Sequence, residues 1–128
     1  EDHPQTINMM SEMAGTFQDL GRNIESLELY KQVLAQRQRV LPVDDPLTLD
    51  TMHAVGRALN NLDRNEEALV LVEETLEKQS RVIGEEHSDT QSTLSLLGGV
   101  LSALKRHDEA CVIYERLLVI VLRLKGEE

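Results

Sequence analysis

Four histidines, a single cysteine and one pair of adjacent glycines are the residues whose types could carry chemistry. His3, His53, His87 and His107 never fall at the i, i+4 spacing that points two imidazoles from one helix face at a metal ion. Cys111 stands alone, so no thiolate cluster is available, and neither a metal site nor a cofactor is expected. His3 and His87 lie 84 positions apart in equivalent surroundings, "HPQT" and "HSDT", which suits a capping or surface role. Serine, histidine and aspartate are all present, but no serine sits in a nucleophile elbow, and the chain is not expected to be an enzyme. Gly98-Gly99, within "STLSLLGGVLSALKRHDEA", could end a helix, cradle a phosphate or let two backbones approach. A phosphate loop needs a preceding strand and further glycines followed by Lys-Ser/Thr, which this stretch lacks. Cys111 follows Ala110 and reads as a small core residue rather than a reactive thiol.

The elements that would position these residues are bounded by composition. A chain of 128 residues suffices for one domain with its own core. Thirteen basic against twenty-three acidic side chains give a formal charge of −10, and aromatics amount to Phe17, Tyr30 and Tyr114. Such a chain repels a phosphate backbone and offers few rings for base stacking, so nucleic acid is not an expected partner. A lone cysteine forms no internal disulfide, and a cytoplasmic location is expected. The start, "EDHPQTINMM", has no signal-peptide pattern. The longest apolar run, "LLVIVL", is far shorter than the roughly 20 residues of a membrane span, so no membrane partner is expected either.

The decisive pattern is an internal repeat. A shift of 42 residues superimposes 3–44, 45–86 and 87–128 without a gap. Identical columns are Thr6/Thr48/Thr90, Leu20/Leu62/Leu104, Arg22/Arg64/Arg106, Glu25/Glu67/Glu109, Leu34/Leu76/Leu118 and Arg39/Arg81/Arg123. Each copy reads as two helices. The first begins at Pro4 or Pro46, behind His3 or Asp45, and keeps three- and four-residue apolar spacing to the shared leucine. The turns "GRN", "DRN" and "KRH" follow. The second helix opens with the shared glutamate and closes near the shared Arg39, Arg81 or Arg123, matching charge to the helix dipole. Pro42, Gly84 and Gly126 fit its C-terminal stops. The expected fold is all-α: six antiparallel helices stacked as three hairpins in a curved solenoid. Gly98 shares a column with Ala14 and Gly56, and Ser26, Ala68 and Ala110 form a second small column. Two such columns facing each other would let the helices of a pair approach closely, making Gly98 a packing residue.

These features resemble the tetratricopeptide repeat, in the 42-residue form found in kinesin light chains. The pieces that match are "HPQT" and "HSDT", the small columns, and the tyrosines in "LELYKQVL" and "CVIYERLL". The resemblance spans the whole chain and implies a right-handed α-solenoid that binds a protein or peptide on the concave face of its first helices. Where the family's cargo-binding repeats carry an Asn-Asn pair in the first helix, this chain has Ser11-Glu12, His53-Ala54 and Ser95-Leu96. The middle repeat has Val72 and Thr75 in place of bulkier neighbours, so its second helix should pack less bulk.

Carried over by column, the resemblance implies a groove lined by Asn8, Ser11, Glu12, Gly15, Gln18 and Asp19 in the first copy. Asp50, His53, Ala54, Arg57, Asn60 and Asn61 would line it in the second, and Ser92, Ser95, Leu96, Gly99, Ser102 and Ala103 in the third. Gly15 and Gly99 would leave room on both sides of the Arg57 guanidinium, whose planar donor fork suits a carboxylate. Asn60 and Asn61 can serve a peptide backbone. The alternative is that this polar face is plain solvated surface. The acidic excess concentrates in 45–86, with ten acidic to four basic residues, and reads as a solvated face rather than a dock.

The last helix departs from its siblings. Ala35-Gln36-Arg37-Gln38 and Glu77-Lys78-Gln79-Ser80 become Val119-Ile120-Val121-Leu122. A terminal repeat ordinarily turns a polar face outward, so this apolar strip is expected to meet a further repeat of a longer array or a second copy, as a homodimer through the C-terminal helix. A peptide-binding module is the leading expectation, an assembly element is the alternative, and the resemblance to 42-residue arrays of signalling NTPases implies a third role as sensor repeats of a larger protein.

Overall fold

The computed structural model describes residues 3–126. These form six helices, α1 (Pro4–Asp19), α2 (Asn23–Val40), α3 (Pro46–Asn61), α4 (Asn65–Val82), α5 (Ser88–Ala103) and α6 (His107–Gly126), and no strand occurs among the described residues. The fold is an all-α helical repeat.

The three first helices start by one device. His3, Asp45 and His87 stand in non-helical backbone, and a side-chain atom of each accepts the N–H two residues on, at 3.2, 2.9 and 3.0 Å. Two of the four histidines are thereby used as caps. The hairpin turns are equally alike. Gly21, Asp63 and Lys105 take φ of +79, +62 and +65°, and the N–H of the next arginine reaches back to Phe17, Leu59 or Leu101 at 2.8, 2.9 and 2.9 Å. Only the first of these turns uses the glycine that the left-handed region favours. The shared arginine then donates two bonds to the shared glutamate, as in Arg64 to Glu67 at 2.7 and 2.9 Å. Arg22–Glu25 and Arg106–Glu109 repeat the pair. The second helices open at Asn23, Asn65 and His107, two residues ahead of that glutamate, which lies in the first turn. Gly84 follows the end of α4 at φ +89°, and Gly126 is helical and is the last described residue.

Each helix packs on its neighbour in sequence, and α3 also touches α5. The core runs through Ala14, Leu27, Tyr30, Val55, Leu59, Leu69, Val72, Leu94, Leu97, Val100 and Ala110. Junction carboxylates tie to the following second helix: Asp44 to Lys78 and Arg81 at 3.3 and 3.1 Å, Glu85 to Arg116 at 2.7 Å, and Glu86 to Arg123 at 3.1 Å. With Glu67 on Arg64, Glu74 on Lys78 and Glu77 on Arg81, half of the ten acidic side chains of 45–86 are paired. Inside, Arg37 is 6% exposed and donates to Thr51 Oγ1 at 2.7 Å, Asn8 Oδ1 at 3.1 Å and the Leu47 carbonyl at 3.4 Å, joining α2 to both α1 and α3.

The small columns do more than face one another. Ser26 Oγ donates to the Ala14 carbonyl at 2.9 Å, which binds the two columns in the first hairpin. At Gly98, however, a Cβ would stand 2.5 Å from the Tyr114 ring, and at Gly56 it would stand 2.7 Å from Val72 Cγ2. The glycines therefore make room for the residue one turn beyond the second small column. Val72 and Thr75 of the slimmer middle helix are fully buried.

Candidate binding groove

On α3 the register sets His53 and Arg57 one turn apart, and on α5 it sets Asp89 and Thr93 likewise. His53 Nδ1 lies 2.9 Å from Thr93 Oγ1, Thr93 Oγ1 lies 3.2 Å from the Asp89 carbonyl, and Arg57 Nη2 lies 3.4 Å from His53 Nε2. A guanidinium only donates, so Nε2 is the acceptor and Nδ1 carries the proton. The chain of donors then runs from His53 to Thr93 to the Asp89 backbone. Burial, reinforced by the Arg57 charge and opposed by Asp89, lowers the His53 pKa to about 4, so the ring is neutral.

These residues surround a notch of about 100 Å3 lined by Asp50, His53 and Arg57 of α3, Gln79 of α4, and Asp89 and Ser92 of α5. Asp50 is exposed, yet its carboxyl is raised above its ordinary value, first by the neighbouring atoms that displace water on its notch side and then by the Asp89 charge, with Arg37 opposing. Gln79 is 1% exposed and its Oε1 has no hydrogen-bond partner.

Of the groove residues expected from sequence, the notch gathers Asp50, His53, Arg57 and Ser92. Asn60 and Asn61 belong to the following turn of α3, half-buried and exposed, outside this lining. Asn8 is exposed at the α1 surface and accepts from Arg37. Ser11, Gln18 and Ser102 are half-buried and Ser95 is exposed. Gln18 Nε2 has no partner. Leu96 is core, not groove: it is 9% exposed and its Cδ2 lies 3.8 Å from the Cβ position of Gly56. The space expected beside Arg57 is open at Gly99, where an added Cβ meets nothing, but at Gly15 the Tyr30 hydroxyl is 3.3 Å away. Gln79 and Asp89 were not expected in the site. A signal existed for Gln79, since Arg37, Gln79 and Val121 share a column that is buried in the first two copies, where a polar side chain needs a reason. A wider furrow of about 600 Å3 lies elsewhere, between α4 and α6, over Leu76, Leu97 and Ile113 with Glu73, Glu77, Arg81 and Arg116 at its rim.

The apolar strip of α6 is divided. Val119, Val121 and Leu122 are 61, 36 and 57% exposed, but Ile120 is 2% exposed and is part of the core. Cys111, expected inside, is exposed. Its column mates Leu27 and Leu69 are buried because α3 and α5 lie over α2 and α4, whereas among the described residues no helix covers the face of α6 turned away from α5.

Among the described residues, six stacked helices with a polar face on α1, α3 and α5 and no strand define a helical-repeat scaffold. The sequence model of the tetratricopeptide repeat matches residues 5–81 and again 51–120, and the chain belongs to that family. Crystal structures agree. One, a single-substitution variant of the nearly identical TPR-like repeats of a kinesin light chain candidate from Podosopora anserina, superimposes with a TM-score of 0.84 at 24% identity, over 98% of this chain and 59% of that one. The same repeats without that substitution give 0.80 at 25% identity, over 96 and 58%. BtubC (BKLC) from P. vanneervenii gives 0.81 at 23% identity, over 89 and 45%. The chain thus spans about half to three-fifths of the length of these structures. No curated protein matches the sequence. Members of this family serve in protein–protein interaction, and among the described residues no helix is long and apolar enough to cross a membrane.

Proposed function

We propose that the chain is a non-catalytic interaction module, one domain of three 42-residue units, that holds a peptide or protein segment along α1, α3 and α5. One observation supports this most directly. Arg22, Arg64, Arg81, Arg106, Arg116 and Arg123 each hold a carboxylate, and Arg37 is buried on neutral acceptors, whereas exposed Arg57 contacts only a neutral imidazole among the described residues. An unpaired guanidinium on the groove face is a ready partner for a carboxylate. Asn61, exposed at the end of α3, would hold the segment's backbone. The charge of −10 disfavours nucleic acid, and the exposed Cys111 thiol suits a cytoplasmic, reducing setting. Peptides captured from a random library would be titrated against the wild type, Arg57→Ala and Asn61→Ala. About a tenfold loss is expected for Arg57→Ala, the worth of one charge-assisted bond; equal affinity would remove the reading.

A second reading, assembly, is favoured by the two ends of the molecule. Columns buried inside the array surface at α6 as Cys111, Tyr114 and Val121, and at α1 as Thr6, Met9 and Met13. Arg37 on α2 bonds Thr51 on α3, and the same columns hold Gln79 with Thr93, then Val121 and Met9 at the ends. An apolar residue stands on both outer sides of a contact that is polar inside. The exposed face of α6 is therefore suited to a further repeat in the same register or to a second copy docked by its α1 in head-to-tail stacking, and the second copy is the occupant we propose for the chain by itself.

A further inference from the structure

The notch between α3, α4 and α5 carries three features that share one ligand chemistry. Its floor is Gln79, almost wholly buried, whose Oε1 has no hydrogen-bond partner and is closed to solvent, so an entering group reaches it only as the side chain turns toward the notch. An orphaned buried acceptor is unfavourable by about 1–3 kcal/mol, and an entering N–H group removes that penalty. Its walls carry Asp50 on α3 and Asp89 on α5, and no lysine or arginine pairs with either among the described residues. Their charges act on each other across the gap, so each gains from a cation placed between them. The third feature is the fixed tautomer of His53, which presents its unprotonated Nε2 to Arg57 and adds no charge.

Arg57 stands at the rim, and the two carboxylates that face each other across the notch call for a positive charge between them. A metal ion is a poor candidate, since no group of three or more His, Cys, Asp or Glu able to hold one exists among the described residues. The acceptors come from three helices, which suits a compact head with three donors better than a planar fork that needs its acceptors in one plane. We propose that the notch receives the ammonium group of a lysine side chain carried by the segment in the groove, bonded to Gln79 Oε1 and to the Asp50 and Asp89 carboxylates. This rests on the groove reading. Arg57 at the rim then faces an acidic group next to that lysine, so the recognised segment pairs a lysine with a neighbouring carboxylate.

The probe is Nα-acetyl-L-lysine amide, titrated into the full chain while the Gln79 side-chain amide and the His53 ring are followed by NMR. Saturable shifts at both are expected, together with no response to the Nε-acetylated amide and a loss of at least tenfold in affinity in Asp50→Asn. Gln79→Met, similar in shape but without the acceptor, should weaken binding likewise. Should that variant not fold, Asp89→Asn, an exposed change, replaces it. Absence of shifts at Gln79, or equal shifts with the acetylated amide, overturns the proposal. Library peptides captured through Arg57 without enrichment of lysine also overturn it while leaving the groove reading intact. A lysine amide that binds at Gln79 when no peptide is captured supports the notch and counts against the groove alone.

Discussion

His53 shows how a residue singled out for chemistry can be decided by its neighbours. Its pKa is lowered from 6.5 to about 4, burial being the larger cause and Arg57 the next. The charged groups around it are Arg57 and Asp50 on α3 and Asp89 on α5; α4 contributes the neutral Gln79. Because the folded pKa lies below the unfolded one, the unfolded chain takes up the proton first as pH falls. Stability is then fully present above pH 6.5 and is lost between pH 6.5 and 4, by about 2 kcal/mol from pH 7 to 5. Thermal melts across that range should show the loss in the wild type and a flatter profile in His53→Gln. Equal slopes would mean that the imidazole is not sheltered as described. Sequence spacing placed His53 on the first-helix face, but the hydroxyl that fixes its tautomer comes from 40 residues away.

Between elements, the adjacent glycines of α5 separate two roles. Gly98 points at the Tyr114 ring on α6, with 2.5 Å to the site of an added Cβ, while Gly99 points at open space. Gly98→Ala forces the ring or the backbone to move and should destabilise by about 1–3 kcal/mol in urea unfolding. Gly99→Ala should be neutral or stabilising by up to about 1 kcal/mol, because alanine is the better helix former. Two equal outcomes would refute the packing account. That Gly98 sits inside a helix was legible from its column with Ala14 and Gly56. That it faces Tyr114 rather than Ala110 was not, since a column gives the face of a helix but not which side chain fills the space in front of it.

For the whole molecule the consequential features are its ends. Head-to-tail stacking is heterologous and does not close, so wild-type weight-average mass in sedimentation should rise with concentration. Val121→Glu and Met9→Glu, each blocking one end, should both remain monomeric alone, yet a mixture should give one-to-one pairs through the two ends left intact. A wild type monomeric at every concentration sinks the assembly reading, and a dimer indifferent to Met9→Glu points instead to a symmetric contact through α6.

A 42-residue rhythm was enough to determine what is local: six helices, the positions of His3, Asp45 and His87 at the starts of the first helices, and the three turns at "GRN", "DRN" and "KRH". Helix and turn formation depend on residues a few positions apart, and those are written in order along the chain. Only the tertiary structure decided that Cys111 is exposed while Leu27 and Leu69 are not, that Ile120 is core within an otherwise exposed strip, and that Asp50, Gln79 and Asp89 meet at one notch. Each of these depends on which helix lies over a given face. Burial and electrostatic coupling are set by distances across the stack, and a periodic sequence repeats the faces without stating what covers the last one.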